Sequence, residues 1–427
     1  MDVIRRYFRA VAGSLTAVLL AACVSAGSST PTAPRPALAP PAPVLPSPST
    51  APPPPAGDPA AVSTAWGRSI DRLIGPRQVS AAVRVGTRLV YAHLATARST
   101  PASNQKLLLS MTALSELGPG YRIPTDAAVV RGSLHEGVVN GDLWIVGHGD
   151  PEFDDAAAGD LAAKLRVAGI RRITGAVIGD TGGFLRDRHA PGWHPMALDN
   201  IGLPTALSFD HNAGPTRYVL TPERGAARAV TAGLRGQGIE VGGSPRTAVP
   251  TDVLKPVASV RSAPLAAILR RQNINSDNLD AETLSKVLGA KFGGEGSIAA
   301  GASVIQAWLH DRGVQANVMD ASGLSYRDRI STLGLSGLLA SALRRPWGRF
   351  LRASLPAPGQ GTMRGRLAGI AVRAKTGTLA QGISALSGYL RLQSGATASF
   401  SILSKGVTKD VAIRLEDRIV RILSARL

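Results

Sequence analysis

The sequence predicts a mixed α and β fold in which an antiparallel sheet is flanked by helices and interrupted by an inserted α/β region. Two observations predict this class. Strand-like alternation at 79–94 is matched far downstream by strand-like stretches at 384–392 and 396–403, which a Gln-Ser-Gly turn joins. Helical periodicity at 66–73 and at 408–427 supplies amphipathic helices that can pack on such a sheet.

The composition indicates a folded body larger than one ordinary domain. The 427 residues are 44% hydrophobic and 18% charged, which is globular composition. The net charge is +19, but lysine and arginine are scattered and never alternate with aromatics, so we predict no nucleic-acid partner. One cysteine excludes an internal disulfide framework, and the seven histidines lack metal-site spacing. We therefore expect no metal and no cofactor.

The first 22 residues are predicted to be a signal peptide. Three arginines among the first nine residues precede an apolar run, 10–20, that is too short to span a bilayer. The run ends in Leu-Ala-Ala-Cys, which resembles the bacterial lipobox and would make Cys23 the lipidated residue. The alternative is a plain cleavage site with an incidental cysteine. The protein is expected outside the cytoplasm, anchored to the membrane and facing the cell wall.

The rest of the chain divides by composition and pattern. Residues 23–57 are rich in Pro, Ala and Ser, which predicts an extended linker. At about 3.1 Å per residue it would reach on the order of 100 Å from a lipid anchor. Short strands alternate with helical stretches in 125–256, the predicted inserted α/β region. The main domain would then comprise 58–124 and 257–427.

Ser103 is followed three residues later by Lys106, at the start of a predicted helix. Apolar residues recur at helical spacing after it, namely Leu107, Leu108, Met111, Leu114 and Leu117. Residues three apart share one helix face, so the lysine amine can reach the serine hydroxyl. Alone this S-x-x-K pattern is weak, because a serine at such a place is most often a helix cap.

Two further motifs change that interpretation. Ser276-Asp277-Asn278 lies between two helical stretches, and Lys375-Thr376-Gly377-Thr378 lies in a strand-like stretch. S-x-x-K, S-D-N and K-T-G in this order are the motif set of penicillin-binding proteins and class A β-lactamases. The three motifs together therefore point to a serine acyl-transfer enzyme, with Ser103 as its nucleophile.

The spacing favours one branch of that group. Ser276 follows Ser103 by 276 minus 103, or 173, positions, much farther than in class A β-lactamases. The layout resembles class C low-molecular-mass penicillin-binding proteins, the D-alanyl-D-alanine carboxypeptidase/endopeptidase family of S13-type serine peptidases. Residues 147–151 and 320–325 resemble phrases of that family too, which usually has glycine where Ala321 stands. The resemblance implies a penicillin-binding transpeptidase/β-lactamase-like catalytic domain split by the insert.

The resemblance also implies roles for the two lysines. Lys106 would be the base, and an uncharged amine at neutral pH requires its pKa to fall by about three units. Burial would supply part of this fall and the Lys375 ammonium the rest. Lys375 would stay protonated and, with Thr376 and Thr378, would hold the terminal carboxylate of the substrate.

The remaining roles follow the same resemblance. Backbone N–H groups of Ser103 and Thr378 would form the oxyanion hole, and Gly377 would keep that strand free of side-chain bulk. Ser276 would pass a proton to the departing D-alanine. Asn278 would bind the peptide amide and orient the lysine base, while Asp277 receives no role.

These roles predict a serine-type D-Ala-D-Ala carboxypeptidase acting on peptidoglycan stem peptides, with endopeptidase activity left open. β-Lactams should acylate Ser103. Two alternatives stay open. One is a β-lactamase or D-stereospecific esterase of the same fold, which turnover of a chromogenic cephalosporin would favour. The other is a non-catalytic wall-binding lipoprotein, against which the intact motif set argues.

Overall fold

The computed structural model describes residues 64–214 and 218–427. The predicted signal peptide at 1–22, the lipidation site Cys23 and the linker at 23–57 lie outside the described residues. Within the described ranges, no helix combines the length and the apolar character that crossing a membrane requires.

Helices and strands follow one another in chain order with clear bounds. The α-helices of the described residues are α1 (Ala65–Ile74), α2 (Gln105–Glu116), α3 (Asp155–Val167), α4 (Pro222–Gly236), α5 (Leu265–Asn275), α6 (Asn278–Phe292), α7 (Ile298–His310), α8 (Thr332–Ala342), α9 (Gly348–Ser354) and α10 (Lys409–Arg426). Short 3₁₀ helices cover Ala102–Asn104, Pro195–Asn200, Asp210–Asn212 and Gly361–Met363.

The strands divide between both halves of the chain. They are β1 (Val79–Val85), β2 (Arg88–His93), β3 (Arg98–Ser99), β4 (Pro124–Val130), β5 (Leu134–His135), β6 (Val138–Val139), β7 (Leu143–Gly147), β8 (Arg172–Ile173), β9 (Val177–Asp180), β10 (Glu240–Val241), β11 (Arg246–Ala248), β12 (Leu254–Arg261), β13 (Ala316–Asn317), β14 (Arg329–Ser331), β15 (Val372–Leu379), β16 (Ile383–Arg391) and β17 (Thr397–Ser404).

A five-stranded antiparallel sheet brings the two ends of the described chain together. Its order is β15-β16-β17-β1-β2, so the first two strands pair with the last three. Every residue of β16 but the last is buried, because helices cover both faces of the sheet. Helices α1 and α10 pack on one face and α2 and α5 to α9 on the other. The predicted fold class is confirmed.

Residues between β4 and β12 form sheets of their own. The larger has the order β11-β9-β7-β4-β12 and mixes parallel with antiparallel pairs. Strands β7 and β9 are parallel with α3 between them, as a crossover connection requires. Helices α3 and α4 cover this sheet with a separate apolar cluster. These elements lie where the inserted region was expected, and its exact boundaries stay predictions.

Candidate active site

Ser103 lies in a single 3₁₀ turn, not in the α-helix that the sequence predicted to open there. The turn spans Ala102–Asn104, and α2 begins only at Gln105. Ala102 has a left-handed backbone, with φ 47°, just before the serine. A glycine permits this turn, because a Cβ on Gly323 would lie 1.9 Å from the Ala102 carbonyl oxygen. The turn therefore depends on packing against a distant segment.

The amine of Lys106 contacts that serine and two other groups. Its Nζ lies 3.3 Å from Ser103 Oγ and donates to Asn278 Oδ1 at 2.7 Å and to the Ser322 carbonyl at 2.6 Å. A neutral amine has two N–H donors and one lone pair. The two short bonds take both donors, so the lone pair can accept from the serine hydroxyl. This is the geometry that a general base needs.

Burial and charge act on Lys106 in opposite directions. The side chain is fully buried, and this burial lowers the pKa of its amine to about 8. Nearby carboxylates raise the pKa and so limit the fall, namely Asp320, Glu282, Asp277 and Asp280. At neutral pH a minority of the free protein thus carries an uncharged Lys106.

The junction of α5 and α6 presents the second motif. Ser276 ends α5 in a left-handed conformation, with φ 60°, and Asn278 is the first residue of α6. Asp277 caps α6 by accepting from the Asp280 N–H at 2.9 Å, which gives this residue a structural explanation. Asn278 Nδ2 donates to the Asn200 carbonyl at 3.0 Å, so both ends of its amide have protein partners.

Lys375 extends from β15 to the same junction. Its Nζ donates to Ser276 Oγ at 2.8 Å and to the Thr376 carbonyl at 2.9 Å. Burial, and then the charge of Lys106, lower the pKa of Lys375 well below its usual value. The charge of Lys106 thus acts on Lys375, while the predicted effect of Lys375 on the pKa of Lys106 stays a prediction. An anion beside Lys375 would favour its protonated form.

The residues after Lys375 run along the edge strand of the sheet. Gly377 faces the Ser103 turn, where a Cβ on it would lie 3.0 Å from both the Pro101 carbonyl oxygen and the Ser103 nitrogen. A larger residue would crowd the N–H expected to bind an oxyanion. Thr376 is half-buried and Thr378 is exposed. Hydrogen bonds and short stretches of chain thus join five of the predicted site residues, namely Ser103, Lys106, Asn278, Ser276 and Lys375.

Sequence reasoning gave no role to the loop that supports Lys106. The phrase 320–325 was singled out, but its contribution is the backbone carbonyl of Ser322, which no side-chain pattern reveals. Ala321, where the family usually has glycine, is buried and keeps a negative φ. Its N–H donates to Glu282 at 3.0 Å, so the turn tolerates alanine. Glu282 was also missed, because it lies in a plain helical stretch.

The Trp193 side chain is a packing residue of the insert with one polar contact. It lies in an apolar cluster with Ala190, Ile201 and Leu279. Its Nε1 donates to Asp320 Oδ2 at 2.6 Å. In the part of the chain that the structure describes, His, Cys, Asp and Glu side chains form no group that would hold a metal ion.

A family comparison decides the classification. The profile of the D-Ala-D-Ala carboxypeptidase 3 (S13) family matches residues 79–213 and 202–426. The chain belongs to this family. Membership in the S13 family confirms the resemblance drawn from the three motifs and their spacing.

Curated relatives and solved structures agree with the classification. D-alanyl-D-alanine carboxypeptidase from an Actinomadura species is 28% identical over 410 residues, covering 75% of this chain and 76% of the relative. Carboxypeptidase DacB from Mycolicibacterium smegmatis is 30% identical over 340 residues, covering 71% of each chain. The crystal structure of penicillin binding protein 4 (dacB) from Haemophilus influenzae superposes with a TM-score of 0.72 at 19% identity, covering 84% of this chain and 99% of that one.

Proposed function

We propose that this S13-family chain is a serine-type D-Ala-D-Ala carboxypeptidase that trims peptidoglycan stem peptides through an acyl-enzyme on Ser103. The observation that carries the proposal is the contact of Ser103 Oγ with the fully buried amine of Lys106. The names of the relatives supply the substrate class, since two of them are carboxypeptidases and one is a penicillin binding protein.

Acylation begins with transfer of the Ser103 proton to the Lys106 lone pair. Oγ then bonds to the carbonyl carbon of the penultimate D-alanine, and the carbonyl oxygen takes up the negative charge. The N–H groups of Ser103 and Thr378 would stabilise that oxygen, a contribution worth about 3 to 4 kcal/mol for one such donor. The close approach of Gly377 to the Ser103 nitrogen supports this position.

The tetrahedral intermediate collapses when the C–N bond breaks. The leaving amine needs a proton, and Ser276 would deliver its hydroxyl proton and receive in exchange the proton that Lys106 took from Ser103. Ser276 Oγ accepts a hydrogen bond from Lys375 at 2.8 Å, which leaves its O–H free to donate to the amine. Lys375, Thr376 and Thr378 would bind the carboxylate of the departing D-alanine. Water then hydrolyses the acyl-enzyme and regenerates the serine.

β-Lactams fit the same site as covalent inhibitors, because their acyl group and carboxylate are arranged like those of a D-Ala-D-Ala terminus. A β-lactamase or esterase activity is the weaker alternative, since the two curated relatives named above are carboxypeptidases. Sustained hydrolysis of a chromogenic cephalosporin, in place of one stoichiometric burst, would support it. If the enzyme releases stem peptides from cross-linked dimers, it has endopeptidase activity as well.

In the central experiment, the purified 58–427 portion and the whole mature chain are incubated with a fluorescent penicillin. Covalent labelling is then detected on a denaturing gel. We expect labelling of wild type and none of Ser103→Ala. Ser303→Ala is the matched control, because this exposed serine lies on α7 away from the site. Equal labelling of Ser103→Ala, or an unlabelled wild type, would refute the assignment. Release of D-alanine from a D-Ala-D-Ala peptide measures the carboxypeptidase activity itself.

Action on peptidoglycan places the enzyme outside the cytoplasm, and we extend this to a lipid anchor on Cys23. The sequence at 20–23 supports the anchor. Membrane fractions of cells that express wild type or Cys23→Ser provide the test. We expect the variant to move to the soluble fraction, and unchanged membrane retention would rule out the anchor.

A further inference from the structure

Three carboxyl groups without an assigned role lie buried behind the Lys106 amine. Glu282 belongs to α6, and Asp320 and Asp328 flank the loop at 320–325. All three residues are completely inaccessible to solvent. Burial of ionisable groups is costly unless hydrogen bonds or charges compensate, so such a cluster beside an active site points to a function.

Glu282 bonds directly to the loop that contacts Lys106. Its Oε1 accepts from the N–H groups of Ala321 at 3.0 Å and Ser322 at 2.7 Å. The carbonyl of Ser322 in turn accepts from Lys106 Nζ at 2.6 Å. Helix α6 also carries Asn278, the second acceptor of that amine. One helix therefore fixes both acceptors that orient the lysine.

The other two carboxyl groups have different tasks. Asp320 accepts from the N–H groups of Gly323 at 2.7 Å and Ser325 at 2.8 Å, and so closes the same loop on itself. Asp328 accepts from the Met319 N–H at 2.7 Å. Burial, and then the charge of Asp320, raise the pKa of Asp328 well above its usual value, which favours its neutral form. Of the three, only Glu282 bonds the Ser322 peptide.

We propose that Glu282 is a positioning residue for acylation, because its carboxylate holds the Ser322 carbonyl against the Lys106 amine and places a negative charge behind that amine. The inference rests on the proposed roles of Ser103 and Lys106. Burial, and then the charge of Asp320, raise the pKa of Glu282 to about 7. Its ionised form raises the pKa of Lys106.

Charged groups surround the pair from every neighbouring element. Those that interact through charge with Lys106 or Glu282 are Asp277 and Asp280 at the start of α6, Lys286 farther along α6, Asp320 and Asp328 around the loop, and Lys375 on β15. Only Glu282 combines a charge effect on Lys106 with hydrogen bonds to the Ser322 peptide. Its removal should therefore change both the rate and the pH dependence of acylation.

The test separates charge from hydrogen bonding with Glu282→Gln. A glutamine oxygen can still accept from the two N–H groups, but the negative charge is gone. Acylation by a fluorescent penicillin is followed from about pH 5 to about pH 9, a range that brackets the Lys106 titration. The acid limb of the profile is the pH range in which the acylation rate rises as Lys106 loses its proton. We expect this limb to move to lower pH by about one pH unit, because loss of one buried negative charge lowers the pKa of Lys106 by about that much at an effective dielectric constant of about 20. An unmoved limb would overturn the charge role.

Glu282→Asp tests the hydrogen bonds. It keeps the charge but withdraws the oxygen from the loop, so we expect a slower plateau rate and an acid limb near the wild-type pH. Glu223→Gln is the matched control, because Glu223, like Glu282, is a buried glutamate. Glu223 lies on α4, away from Lys106, where it pairs with Arg186. This variant should acylate like wild type.

Thermal unfolding of each variant shows whether it folds. If Glu282→Gln does not fold, Glu282→Asp decides alone, and a wild-type rate in that variant overturns the proposal. The proposed function is tested separately, by comparing penicillin labelling of wild type with that of Ser103→Ala. Wild type that labels on Ser103, with a Glu282→Gln profile superimposable on its own, rejects the role of Glu282 and leaves the enzyme assignment intact.

Discussion

The pockets of Lys106 and Lys375 differ in one respect, the supply of negative charge. Both side chains are fully buried at the same site. Four carboxylates raise the pKa of Lys106. Among the described residues, the amine of Lys375 donates to a serine hydroxyl and a carbonyl, and the charge that acts on it is the positive one of Lys106. Within that part of the chain, carboxylates compensate Lys106 and none compensates Lys375.

This difference is consistent with the separate roles proposed above for the two lysines. A buried cation without a carboxylate is suited to receive one from a ligand, as the proposed substrate would provide. That carboxylate would favour the protonated form of Lys375, whose ammonium would then favour loss of the proton from Lys106. Binding of the correct substrate would thereby activate the base.

Replacing the base should have the largest effect. Lys106→Met keeps the volume of the side chain but removes the lone pair that accepts the Ser103 proton. We expect the acylation rate constant to fall roughly a thousandfold, as loss of a general base does. Stopped-flow or gel-based acylation by a fluorescent penicillin measures it. A rate within about tenfold of wild type would show that another group acts as the base.

Lys286→Met is the control for that variant. Lys286 is also a fully buried lysine, and it donates to the carbonyls of Leu185 and Pro204 away from Ser103. Its loss should lower the thermal unfolding midpoint but reduce the acylation rate of the folded protein far less than Lys106→Met does, because Lys286 interacts with Glu282 through charge and does not contact Ser103.

Lys375→Met should have the second largest effect, and it should depend on the substrate. We expect kcat/KM for a peptide with a free terminal carboxylate to fall about a hundredfold, since a buried charge pair is lost. The same peptide with an amidated terminus should lose far less, because it offers no anion. Equal losses for both peptides would mean that Lys375 does not bind the carboxylate.

Much of this architecture was predictable from the sequence because its signals are local. The strands at both ends of the described chain follow alternation, and α10 follows the helical spacing of Val411, Leu415, Ile419 and Ile422, which are buried or partly buried in the cluster against the sheet. The three motifs are short and contain the side chains themselves. Their order and separation were enough to place the chain in its family.

The surroundings of the lysines were not predictable, for physical reasons. Glu282 and Ser322 are 40 residues apart in sequence, and their contact exists only after α6 packs beside the loop. The balance between burial and carboxylate charge on Lys106 is set by that packing, so a motif cannot reveal it. The 3₁₀ turn at Ser103 likewise depends on the close approach of Gly323.

The pH dependence should give a third, smaller effect. Burial lowers the pKa of Lys106 to about 8 in the free protein, and the active form in the proposed mechanism is the uncharged amine. Acylation at low β-lactam concentration should therefore rise with pH, gaining about tenfold per pH unit well below about pH 8 and levelling above it. If the acylation rate of Lys106→Met still rises over the same pH range, another group titrates there, and this would contradict the assignment of Lys106 as the base.

Trp193→Phe should produce the smallest change and tests how the insert supports the Lys106 pocket. The substitution keeps an aromatic ring in the apolar cluster but removes the Nε1 donor to Asp320. Loss of a hydrogen bond to a charged acceptor should cost about 1.5 to 3 kcal/mol of unfolding free energy, measured by denaturant titration. The acylation rate should fall only slightly, because Gly323 and Ser325 still bond to Asp320 and hold the loop. A loss of acylation as severe as that of Lys106→Met, in a folded variant, would mean that the insert and not α6 positions the Ser322 carbonyl.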